Sequence, residues 1–135
     1  MLRQFEVNTV GPFLMTRALL PNLRLAVDAR GEAFVAQVTS RMGSIADNGS
    51  GGRYGYRASK SALNMVTQSL ALDLQSEKIG CLMLHPGYVN TAIVNFTGVV
   101  EPEDSVAGMV RIIERAKLGD KLEMFHFEKG DALPW

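Results

Sequence analysis

Tyr56 and Lys60 stand four positions apart in the stretch YGYRASKSALNM, residues 54–65. On a helix, that spacing puts both side chains on one face in adjacent turns. A phenol has an ordinary pKa near 10 and is a poor base at neutral pH. An ammonium beside it favours the phenolate, and the pair can then exchange a proton with a carbonyl or alcohol oxygen. The lysine keeps further N–H donors for neighbouring hydroxyls. The spacing alone is weak, because an ordinary solvated helix start carries the same two residues. Its neighbours sharpen it. Upstream lies VTSRMGS, residues 38–44, with Ser40 and Ser44. Downstream lies HPGYVNT, residues 85–91. A serine hydroxyl can hydrogen-bond a substrate carbonyl, and a Pro-Gly turn lets a flat ring approach the backbone closely.

The surrounding pattern says how such segments could meet. Residues 2–27 read as a helix, with Phe5, Phe13, Leu19, Leu20 and Leu23 at helical spacing. A kink or early end is expected near Pro21, which removes a backbone donor. Residues 33–40, AFVAQVTS, read as a buried strand. A Gly- and Ser-rich loop follows, then a second helix over 54–76. IGCLMLHPG, 79–87, is an apolar strand ending at a Pro-Gly break. Residues 101–117 form a third helix, acidic at its start and basic at its end. LEMFHF, 122–127, is a last strand, and GDALPW, 130–135, a tail. Apolar strands alternating with helices imply an α/β fold with a parallel sheet, its strands buried on both faces. Ligands of such sheets sit beyond the carboxyl ends of the strands, which selects the loops after Val38 and His85.

Composition narrows the function classes. Apolar residues make up 47% of the 135, so a core can form. Lys plus Arg equals Asp plus Glu at 14 each, which offers no electrostatic case for nucleic acid or an anionic membrane surface. Cys81 is the only cysteine, which excludes an internal disulfide and fits a reducing, cytoplasmic setting. Its apolar neighbours read as packing, as do Met65, Met83, Met109 and Met124 within their elements. His85 and His126 read as structural histidines, and no His, Cys or acid pair has metal-site spacing, so no metal is expected.

VNTVGP (7–12), VTSRMG (38–43), YGYRASKSALN (54–64) and HPGYVNT (85–91) together resemble the short-chain dehydrogenase/reductase family. They occur in family order at nearly family spacing. The tail FHFEKGDALPW resembles the small carbonyl-reductase branch with its C-factor-like and sniffer-like members. The resemblance implies a Rossmann-like three-layer fold and an NAD- or NADP-dependent transfer of hydride between nicotinamide and a carbonyl or alcohol. It implies Tyr56 as the acid/base, and Lys60 as the residue that binds the nicotinamide ribose and lowers the phenol pKa. Asn8 would support a proton-relay water, and Ser40 would orient the carbonyl. Pro86, Gly87, Val89 and Thr91 would hold the nicotinamide and its carboxamide. Ser44 is the rival to Ser40, with NGSGG (48–52) resembling a small insertion. The family's opening glycine-rich phosphate turn has no counterpart here, because the cluster at 49–52 lacks the G-x-G-x-x-G order. The chain is therefore expected to be a single partial domain, 1–135, equivalent to the C-terminal half of a doubly wound fold without the dinucleotide-binding half. The resemblance further implies a homo-oligomer paired through the helices 2–27 and 54–76. A second reading follows: a truncated, non-catalytic member acting as a dimerisation partner.

Overall fold

The computed structural model describes residues 1–135. Helix α1 (Leu2–Phe5) passes through a π-helical stretch, Glu6–Val10, into α2 (Gly11–Arg30) without a break. The Gly11 N–H closes the wide turn on the Glu6 carbonyl. Pro12 follows and offers no N–H, so the Asn8 carbonyl loses its ordinary partner four residues on. The early end expected at Pro21 does not occur. Pro21 lies exposed within α2, where water can take over the carbonyl that its ring leaves without a donor. The helix instead ends at Gly31, left-handed at φ 87°, whose N–H reaches the Val27 carbonyl at 2.7 Å.

Strand β1 (Ala33–Val38), helix α3 (Tyr54–Leu74), strand β2 (Ile79–His85), helix α4 (Pro102–Arg115), strand β3 (Met124–His126) and strand β4 (Ala132–Leu133) complete the chain. The sheet order is β1-β2-β3-β4. The pairs β1–β2 and β2–β3 are parallel, as the alternation of elements requires. The segment 130–135 is more than a tail: part of it returns as β4, antiparallel to β3, with Met124 opposite Leu133. The sheet is therefore mixed at this edge.

The main core lies between the sheet and the α2–α3 layer. Ile79, Cys81, Met83 and Met124 meet Leu70 and Leu74 of α3, with Leu20, Leu23 and Val27 of α2 packed alongside. Met83 and Met124 are fully buried, whereas Met65, expected inside, is 62% exposed. Phe13 and Leu19 also face outward. Burial on both faces holds for β2 but not for β1, where Ala36 and Val38 are exposed. Burial pushes the Cys81 thiol up to about 11, which keeps it protonated as a packing group. No helix is long and apolar enough to cross a membrane.

Helix α4 approaches β3 from the opposite side through Gly108. A Cβ there would lie 2.2 Å from the Phe127 carbonyl oxygen. Gly to Ala inside a helix ordinarily stabilises. Here the clash is with backbone, so Gly108→Ala should destabilise by about 1–3 kcal/mol in urea unfolding.

Candidate active site

Because β1, β2 and β3 run parallel, their carboxyl ends at Val38, His85 and His126 share one rim. The Thr39 N–H extends the ladder to the Leu84 carbonyl at 2.9 Å. The chain then turns at Ser40, whose Oγ accepts the Met42 N–H at 3.1 Å and caps the short 3-10 turn Arg41–Gly43. Ser44 lies past that turn, 2% exposed, its Oγ accepting the Asp47 N–H at 2.9 Å. Both candidate serines are buried, and Ser40 is the one next to the strand end.

Three successive left-handed residues, Gly51, Gly52 and Arg53, deliver the chain into α3. The glycine cluster is thus a turn device for the helix start. Arg57 holds the loop together by donating to the Gly51 carbonyl at 3.1 Å, Ser50 Oγ at 2.9 Å and the Met42 carbonyl at 3.3 Å. Sequence reading passed over Arg57. Its only signal was its position beside Tyr56.

Tyr56 and Lys60 sit on adjacent turns of α3, both half-buried. Lys60 Nζ donates to the Val38 carbonyl at 2.9 Å, and burial lowers its pKa. Gly43 backs onto Lys60: a Cβ on Gly43 would lie 2.8 Å from Lys60 Cβ and 2.9 Å from its carbonyl carbon. Asn8 reaches the same helix. Its Nδ2 donates to Ser59 Oγ at 3.0 Å, Thr9 Oγ1 donates to the Ser59 carbonyl at 2.8 Å, and Ser59 Oγ donates to the Tyr56 carbonyl at 2.8 Å. The π-helical stretch is therefore docked between Tyr56 and Lys60. Ser59 and Thr9 were missed in the sequence because small hydroxyl residues signal nothing until their partners are known. Tyr54 opens α3 and is 80% exposed.

On the other side of the rim, Ser105 Oγ donates to the Pro86 carbonyl at 2.7 Å. Gly87 is left-handed at φ 83°, and a Cβ on it would meet the Phe127 ring at 2.6 Å. Val89 bridges to Val100, and the Thr91 carbonyl accepts the Val94 and Phe96 N–H groups at 3.1 and 2.9 Å. The Tyr88 hydroxyl bonds Thr97 Oγ1 at 2.5 Å, which folds the loop onto the turn. His85 Nδ1 accepts the Arg41 N–H at 3.3 Å, and the His126 ring stands edge-on at 5.4 Å. A cleft of about 660 Å³ opens beside Gly87, Asp104, Arg111 and Phe127. Ser40, Tyr56 and Lys60 do not line it, so it is a separate space from the candidate acid/base pair.

An α/β sheet whose three main strands run parallel, with a serine turn, a Tyr-x-x-x-Lys helix and a Pro-Gly turn at one rim, defines a Rossmann-like oxidoreductase-type architecture. The model of the short chain dehydrogenase family matches residues 1–101, and the chain belongs to that family. It is 42% identical over its whole length to C-signal of Myxococcus xanthus, covering 78% of that protein. In structure it is similar to the carbonyl reductase Sniffer of D. melanogaster, with a TM-score of 0.93, 32% identity and coverage of 100% of this chain and 57% of that one. It also resembles an NADPH-bound carbonyl reductase from chicken fatty liver, with a TM-score of 0.82, 29% identity and coverage of 100% and 58%. The chain thus spans a little over half the length of these two solved reductases.

Burial, followed by the His126 and Arg41 charges, pushes His85 from an ordinary 6.5 down to about 4. The unfolded chain therefore binds a proton at this residue that the folded chain refuses between those values. The resulting stability is fully present above about pH 6.5 and is lost as pH falls toward about 4. Urea unfolding across that window should show stability declining with acid, with a shallower slope in His85→Asn.

Proposed function

We propose that this chain carries the proton-transfer half of an NAD- or NADP-dependent site that interconverts a small carbonyl compound and its alcohol. The observation that carries the reading is the placement of Lys60 Nζ on the Val38 carbonyl, just before Ser40, with Tyr56 one turn earlier on the same helix. Lys60 is partly buried beside the serine loop, and burial lowers its pKa. In the reducing direction Tyr56 gives its proton to the substrate oxygen, and in the oxidising direction it takes that proton back. Ser40 offers a hydroxyl to the same oxygen. Asn8, tied through Ser59, steadies the helix turn between Tyr56 and Lys60 and stands where a relay water would be held. A nicotinamide dinucleotide supplies the hydride. Tyr56, Lys60, Pro86, Gly87, Val89 and Thr91 would hold its nicotinamide end, and the close-packed Gly87 turn suits a flat ring. The residues present do not fit its pyrophosphate, because the 49–52 glycines are committed to the start of α3. A cytoplasmic setting fits the lone buried thiol of Cys81.

One observation favours a second reading, that of a non-catalytic partner. Strand β1 closes the sheet order with its outer edge unpaired and Ala36 and Val38 exposed, a surface suited to another polypeptide. Calorimetric titration of the 135-residue chain with NADH and NADPH tests whether it holds the dinucleotide unaided. Weak or undetectable binding is expected for the chain alone, and micromolar affinity for either would show that it holds the dinucleotide unaided. In any preparation that turns over an aldehyde or ketone with NADH or NADPH, Tyr56→Phe should lower the rate by roughly 10²–10⁴-fold. Retained turnover in that variant would remove Tyr56 from the acid/base role.

Assembly through α2 and α3 belongs to the same proposal. Tyr54, Met65 and Leu72 are all exposed and fall on one stripe of α3 at about 3.6 residues per turn. Leu14 and Leu25 form a matching exposed pair on α2. A self-complementary two-fold pairing of these stripes would cover both. Sedimentation should show a dimer or larger species, and Met65→Asp with Leu72→Asp should reduce it to monomer.

A further inference from the structure

We propose that His85 is a positioning residue, which registers the Ser40 loop against the Pro86–Gly87 turn through its Nδ1 atom. Residues 41–43 are fastened to α3 by several groups. Ser61 Oγ and Asn64 Nδ2 donate to the Gly43 carbonyl at 2.7 and 3.4 Å, and Arg57 reaches the Met42 carbonyl. Those bonds tie the serine loop to the helix that carries Tyr56 and Lys60. The link to the other half of the site is different. Beyond the last ladder bond, Thr39 to Leu84, the loop meets β2 through the Arg41 N–H on His85 Nδ1 at 3.3 Å. His85 immediately precedes Pro86 in the chain, and its own carbonyl accepts the Phe127 N–H at 3.0 Å. One imidazole therefore sits where the serine turn, the Pro-Gly turn and the end of β3 converge.

An accepting Nδ1 requires the neutral ring with its proton on Nε2. The groups around it bear on that state: Arg41 on the loop and His126 on β3, with Glu101 before α4, Asp104 and Arg111 on α4 and Glu128 after β3 lining the same cleft. Burial, then the His126 and Arg41 charges, all favour the neutral ring, so the bond stays made down to about pH 4. The consequence for turnover rests on the function proposed above: Ser40 and the nicotinamide-side turn keep a fixed separation only while this bond holds. The bond itself stands or falls independently of that reading.

The test uses the 135-residue chain and needs no cofactor. Nitrogen NMR at neutral pH should find His85 Nδ1 unprotonated, and a proton on Nδ1 would overturn the proposal. Amide exchange at Arg41, referenced to the Thr39 ladder amide, should quicken about fivefold in His85→Leu and in His85→Gln. Gln places its oxygen near the Nε2 position, whereas Asn places one near Nδ1, so His85→Asn should keep the wild-type rate. Equal behaviour of Asn and Leu, or no change in Leu, would overturn the assignment. Should the variants fail to fold, the wild-type chain decides. On acidification, Arg41 should lose protection as Nδ1 takes up its proton while Thr39 keeps its own, and an Arg41 amide indifferent to that protonation would sink the idea. Loss of turnover in Tyr56→Phe speaks only to the reaction, so the two failures cannot be confused.

Discussion

The six residues of β1 pair with β2 in parallel register, from Ala33 opposite Ile79 to Val38 opposite Leu84, and this pairing determines where both site loops begin. A slip of one residue would turn every side chain of β1 to the wrong face. It would put Gln37 among the exposed residues and Val38 against α2. In the register observed, Gln37 is buried and donates to Thr16 Oγ1 at 3.3 Å, so the polar residue within an apolar strand is satisfied by the helix that covers it. The ladder continues through Thr39, and only then does the chain leave the sheet. Ser40 and Pro86 therefore emerge from adjacent strand ends.

Polar contacts define the site as sharply as apolar ones define the core. Thr39 Oγ1 bonds Asn64 Oδ1 at 2.5 Å, Asn64 Nδ2 reaches the Gly43 carbonyl, and Thr9 and Asn8 both bond Ser59. These groups are buried or half-buried, and breaking any one bond would strand its partner away from water. Apolar packing tolerates small sliding of a helix over a sheet. A set of directional bonds between α3 and the rim does not, and it holds Lys60 against Val38 while leaving the phenol of Tyr56 partly accessible.

Much of this was legible in the residues. The Tyr56–Lys60 spacing, the two serines and the Pro-Gly turn could be read because each rests on local chemistry that a short stretch carries whole. The order of elements could be read from periodicity. What escaped depended on partners distant in sequence. Met65 has the spacing of a core residue, yet its stripe of α3 faces away from the sheet. Pro21 looked like a helix end because the solvent exposure that lets α2 absorb it is a tertiary fact. Strand β4 is two residues long and is made by its pairing with β3, so no periodicity announced it. Arg57 and Ser59 matter through the carbonyls and amides they meet, and those are set by the fold.

The open side of β1 bears on how the two halves of such a site divide their work. The groups that would manage the proton are Tyr56, Lys60, Ser40 and Asn8. They are held by α3, by the π-helical stretch and by β1 itself, through the Val38 carbonyl. The Thr39 N–H points into the sheet at the Leu84 carbonyl, so the preceding Val38 carbonyl, which Lys60 Nζ holds at 2.9 Å, faces the outer edge. A polypeptide added along that edge would supply sheet beside the Val38 carbonyl that Lys60 holds. The two tasks differ in reach. Proton transfer needs a few side chains fixed to within fractions of an ångström by short-range bonds, whereas dinucleotide binding needs a long surface that a single rim cannot offer. That difference in reach allows this architecture to hold the proposed acid/base residues within one body of 135 residues.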